Sequence, residues 1–165
     1  TRITREGEAL IEQMMERLRP KDIFFVLGHS LQGYEKYLLE CNRKREEDGK
    51  EPFEIFCIIP AKLTKKQVRR LSGEKVHIRV STESQAMGIY KSFNYEIFER
   101  RPSVVVAFDG NSAAENLIQE AKNGKGDASI LIWERAGALR QKAASLEGYV
   151  RLFDADLSEL LPFQS

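Results

Sequence analysis

At 165 residues, 42% of them hydrophobic, the chain is long enough for one domain with a sizeable core. Its 26 Lys and Arg stand against 25 Asp and Glu, a balance that supplies no global field for nucleic acid or an acidic membrane surface. Cys41 and Cys57 make no disulfide framework and fall into no metal spacing, no apolar stretch is long enough to span a bilayer, and no signal peptide is visible. The expectation is a cytoplasmic chain with no membrane partner, no metal and no resident cofactor.

Ile3, Leu10, Ile11, Met14, Met15 and Leu18 recur at helical spacing and Pro20 stops the pattern, so residues 1–20 hold an N-terminal helix. Residues 22–27 form a strand, followed by Gly28-His29-Ser30 and a helix to about Arg45. The charged segment Lys44 to Lys50 has no apolar face and is expected as a solvated connector. Residues 53–59 give a second strand ended by Pro60, and Thr64 caps a short basic helix carrying Val68 and Leu71. Residues 76–80 are a third strand opening into Ser81-Thr82-Glu83, with a helix over about 84–100. Cys57 and His77, each inside a strand, have structural roles.

The fourth strand is the most informative. Ser103 to Phe108 is an unbroken apolar run, the mark of a strand buried on both faces. It ends in the turn-forming cluster Asp109-Gly110-Asn111-Ser112, after which Ala113, Ala114, Leu117, Ile118 and Ala121 recur at helical spacing. Strand, tight polar turn and helix together aim free backbone N–H groups at an anion, which points to a phosphate or nucleotide. Residues 128–133 give a fifth strand, 136–144 a weaker helix, 149–153 a sixth strand, and 157–161 a last turn of helix. Strands alternating with helices define the α/β class: a Rossmann-like three-layer sandwich, with a mostly parallel sheet and helices on both faces. Ligands of such sheets bind beyond the carboxyl ends of the strands.

Three stretches resemble the SLOG superfamily of Rossmann-like nucleotide-binding domains, which includes the Lonely Guy phosphoribohydrolases, the DNA-processing protein A domain and small nucleotide sensors. Gly28-His29-Ser30 is similar to the family's first phosphate loop. Asn94, in Tyr90-Lys-Ser-Phe-Asn-Tyr-Glu-Ile97, falls where many members carry an Arg-Asn pair. Arg101 to Gly110 resembles the approach to the second glycine-rich loop. The chain departs from the family at Phe93, where the Arg is usual, and at Ala113-Ala114 or Asn111-Ser112, where a Gly-Thr or Ser-Gly pair is usual. It also lacks the string Gly-Gly-x-Gly-Thr-x-x-Glu that the Lonely Guy enzymes need. The resemblance therefore implies one nucleotide-binding domain over residues 1–165, weighted toward binding over catalysis. The start at Thr1 rather than Met suits a domain excised from a longer protein and fused to an effector in signalling or antiviral defence.

The candidate ligand contacts follow from the strand ends. Gly28 permits close backbone approach, and Ser30 can cap a helix or meet a ligand. His29 is either a phosphate or base contact or an incidental loop residue. Ser81, Thr82 and Glu83 can hold a base or sugar, or cap the next helix. Lys91 and Asn94 share one helix face, Lys91 to neutralise phosphate and Asn94 to hold a loop or ligand. Asn111 and Ser112 head a helix, as phosphate cradle or as N-caps, with Gly110 in the turn before them. Asp109 would repel a phosphate and suits a ribose hydroxyl or the turn backbone.

Three functions compete. The leading one is a sensor for a nucleotide-derived small molecule. The second is a glycosidic hydrolase or transferase using Glu115 or Glu83, since a carboxylate beside the sugar stabilises an oxocarbenium-like state. Nucleoside deoxyribosyltransferases resemble this chain in placing an acid on the helix after an Asp-Gly loop. The third is a DNA-binding module resting on Lys62, Lys65, Lys66, Arg69, Arg70 and Lys75, a run with no interleaved aromatics and so the weakest of the three. Self-association into a homo-oligomer is compatible with each.

Overall fold

Thr4 starts the first helix: its Oγ1 accepts the Gly7 N–H at 3.1 Å, and Glu6 and Glu8 lie in the first turn, complementing the helix dipole. The computed structural model describes residues 3–28, 31–60, 65–81, 89–110, 112–123, 129–133, 135–137, 139, 150–154 and 156–160. In chain order these form α1 (Arg5–Arg17), β1 (Phe24–Gly28), α2 (Tyr34–Glu47), β2 (Glu54–Ile59), α3 (Lys65–Leu71) and β3 (Val76–Val80). Next come α4 (Ile89–Glu99), β4 (Val104–Ala107), α5 (Ser112–Lys122), β5 (Ser129–Trp133) and β6 (Val150–Phe153). Most of the weaker helix expected over 136–144 lies outside the described residues. In place of the expected last turn of helix, residues 157–160 form a single turn, with Leu157 left-handed at φ 60° and the Leu160 N–H donating to its carbonyl at 2.9 Å; Leu161 lies outside the described residues.

The connector at Lys44 to Lys50 differs from expectation, because α2 runs on to Glu47 before Gly49 turns the chain at φ 77°. Lys, Arg and Glu are good helix formers, so charge alone does not end a helix. Arg45 is also not a solvated side chain. Its guanidinium sits 5.0 Å from the Phe53 ring centre and donates to the Glu51 carbonyl at 3.1 Å and the Met15 carbonyl at 3.3 Å. Beside it, buried Asn42 clamps the loop before β2: its Nδ2 donates to the Phe53 carbonyl at 3.0 Å, and its Oδ1 accepts the Phe53 N–H at 2.7 Å.

Every strand pairing among the described residues is parallel. Hydrogen bonding divides the six strands into two three-stranded sheets, β1-β2-β3 and β4-β5-β6. Side chains alternate across β2. Ile55, Cys57 and Ile59 join the cluster formed with Leu10, Met14 and Leu38 of α1 and α2, while Ile58 meets Ile97 of α4. Helices therefore cover both faces. On one, α1 packs on α2; on the other, α4 packs on α5 and on β1 and β2, while α5 packs on β4 and β5. This is a Rossmann-like α/β arrangement in three layers. The seam falls between β1 and β4, the strands at which the chain's direction of travel across a doubly wound sheet reverses. No helix among the described residues is long and apolar enough to cross a membrane.

Candidate functional site

A cavity of about 510 Å³ occupies that seam. β1 walls it from Phe24 to Gly28 and the β4 segment walls it from Ser103 to Gly110, with Ile97 of α4 and Leu117 of α5 on one face. Such a volume lies within the range of roughly 300–1,000 Å³ usual for small-molecule sites.

The polar groups gather at the carboxyl ends of the strands. Gly28 closes β1, and a Cβ there would stand 3.0 Å from the Ile97 Cδ1, so the lack of a side chain lets α4 lie close. Gly110 is more constrained. A Cβ on it would meet the Ala114 Cβ at 2.3 Å, so only glycine lets the turn fold onto the first turn of α5. Asp109 is half-buried and its Oδ1 accepts the Gly110 N–H at 2.8 Å. Asn94 is only 5% exposed, lines the cavity, and its Nδ2 has no hydrogen-bond partner among the described residues. A buried amide donor left unpaired costs roughly 1–3 kcal/mol, so this group stands ready for an acceptor.

Gly28, Asn94, Asp109 and Gly110 thus line one space. Ser81 does not join them. It is buried at the end of β3, its N–H donating to the Ile59 carbonyl at 2.8 Å, and β2 stands between β3 and the seam. Glu115, half-buried in the first turn of α5, is not among the lining residues either. His29, Ser30, Thr82, Glu83 and Asn111 lie outside the described residues, and of Lys91 on α4 and Ser112 at the start of α5 only the backbone is described. On α3, Lys66, Arg69 and Arg70 are exposed, while Lys75 beyond it pairs with Glu51 at 3.0 Å. His77 pairs with Glu54 at 3.1 Å and stacks on Phe56, a structural contact across the sheet.

One cavity residue carries no sequence signal. Glu35, in the first turn of α2, accepts the Gly28 N–H on its Oε2 at 2.8 Å. It stays partly accessible through the crevice, yet desolvation by its surroundings pushes its carboxyl up to about 7, against the opposing pull of the Gly28 N–H. Its charge in turn adds to the burial that pushes the Cys57 thiol up to about 12, so Cys57 is no nucleophile at neutral pH. From sequence, an acid in a first helical turn reads as a complement to the dipole, and only the cavity gives it another meaning.

No family model matches the chain, and no curated protein matches it. Among solved structures, the processed form of threonine deaminase isoform 2 from Solanum lycopersicum aligns at 16% identity and a TM-score of 0.35. The alignment covers 92% of this chain and 49% of that one, so the chain spans about half the length of that protein. A likeness at that score carries no argument.

Proposed function

We propose that the chain is a binding or sensor domain for a nucleotide-derived small molecule, seated in the crevice between β1 and β4. The observation that carries this reading is the convergence of Gly28, Asn94, Asp109 and Gly110 on one cavity at the seam, with the Asn94 Nδ2 unpaired among the described residues. Phosphate goes to the turn after β4, where the positive end of the α5 dipole favours an anion. Asp109 then faces the sugar, and the apolar flanks formed by Val26, Leu27, Ile97 and Leu117 receive the base. The resemblance of Arg101 to Gly110 to SLOG domains supports the same assignment, and with it a sensing role beside a fused effector. Free Cys41 and Cys57 suit a cytoplasmic setting.

A thermal-shift screen with mono-, di- and cyclic nucleotides tests this. A ligand at about 100 times its dissociation constant adds roughly 2.7 kcal/mol of stability. The expected result is a stabilising nucleotide whose effect is lost in Asn94→Leu, which replaces the unpaired donor with an apolar side chain of similar size. No stabilisation by any nucleotide, or stabilisation by oligonucleotides alone, overturns the reading.

A further inference from the structure

We propose that Glu35 is the base-reading group of the crevice, accepting a hydrogen bond from an N–H of the ligand's nucleobase while Asn94 donates to a neighbouring acceptor on the same base. This rests on the nucleotide reading of the crevice and adds the class of base it takes.

Gly28 places the two residues. Its N–H goes to Glu35 of α2, and its side-chain-less Cα abuts Ile97 of α4, one helical turn from Asn94. The two helices lie on opposite faces of the sheet, so a carboxylate and an amide approach the end of β1 from both sides and both line the cavity. Their needs are complementary. Among the described residues the Asn94 Nδ2 has no acceptor, and the only hydrogen bond to Glu35 is the one its Oε2 takes from Gly28.

Anchoring Gly28 does not by itself account for a carboxylate. A neutral amide or hydroxyl would accept that N–H without placing a charge in a crevice lined by Phe25, Leu27 and Leu38. The rise of the carboxyl to about 7 expresses that cost, and a second donor reaching the free oxygen offsets it. A base fits this pair when it carries an N–H donor next to an acceptor, as amino- and lactam-bearing purines do. A base with acceptors alone leaves Glu35 unpaired.

The substitution Glu35→Gln makes this specific. The amide oxygen keeps the Gly28 bond, which turns the amide NH₂ toward the ligand and converts an acceptor into a donor. Calorimetric titration at about pH 8.5, where Glu35 is a carboxylate, of AMP, GMP and purine riboside 5′-monophosphate, whose base has no N–H, reads the change. The wild-type chain is expected to bind AMP or GMP at least about tenfold tighter than the acceptor-only nucleotide, and in Glu35→Gln this ratio is expected to fall to one or invert. Equal affinities in the wild-type chain, or an unchanged ratio in Glu35→Gln, overturn the role of Glu35 and leave the crevice as a nucleotide site. Failure of all three nucleotides to bind the wild-type chain overturns the crevice reading and this inference together.

Discussion

β1 and β2 are neighbours in one sheet and both are apolar runs, yet their environments differ sharply. Ile55, Cys57, Ile58 and Ile59 of β2 are at most 1% exposed, whereas Phe24 of β1 is 45% exposed and the rest of β1 is half-buried. β5 and β4 repeat the contrast: Leu131 and Ile132 are fully buried, while Val104 and Val106 are half-buried. The inner strands have a strand on either side, and the two seam strands each have one strand and a crevice. Apolar composition thus gives strands without telling which edge will face the crevice. The cost of an incompletely covered edge is borne where the sheet reverses, the place ligands use in such folds.

The contrast can be broken by truncation. Leu131→Ala, in β5, is expected to lose about 3–4 kcal/mol by leaving a void in a fully packed layer, and Val106→Ala, on the seam, about 1 kcal/mol. Urea denaturation of both measures the gap, and equal losses would mean that the seam is packed as tightly as the interior.

Glu35 gives the next largest effect. Its folded pKa of about 7 lies above the ordinary carboxyl value of 4.5, so the folded chain binds the extra proton. That contribution is whole below about pH 4.5 and is lost as pH rises through about 7. Glu35→Gln escapes the loss, and with the crevice still hydrated it is expected to gain about 2 kcal/mol over the wild-type chain at pH 8, the advantage shrinking toward pH 5. Unfolding curves at the two pH values check the sign; a constant difference would place an ordinary carboxyl there.

The smallest effect sharpens the start of the β4 wall. Arg101, between α4 and Pro102, has φ 49°, a left-handed conformation that costs a side-chain-bearing residue about 1 kcal/mol. Arg101→Gly is expected to gain a few tenths to about 1 kcal/mol, read as a rise in Tm. A loss would show that the Arg101 side chain contributes more than its backbone costs.

Much of the frame was legible in the sequence. The run at 103–108 gave β4, Val76–Val80 was read to the residue, and the helical stripe ending before Pro20 gave α1, because each rests on local periodicity. The seam was not legible, since its apolar strands look like any other buried strand. Strand order was also hidden, and this separates Gly28 and Asp109 from Ser81: all stand at strand ends, but β3 lies on the far side of β2. Glu35, Asn42 and Arg45 were missed for a common reason. Each is a polar residue on a helix, ordinary in sequence, whose meaning comes from a backbone group or cavity brought to it by the fold.

The most direct test of the crevice is an amide-resolved NMR titration of the wild-type chain with AMP and then GMP. The account predicts that the Gly28 and Gly110 amides and the Asn94 side-chain amide move together, while the interior amides of Ile58 and Leu131 stay in place. Movement confined to Lys65–Leu71, or no movement at saturating nucleotide, would contradict it.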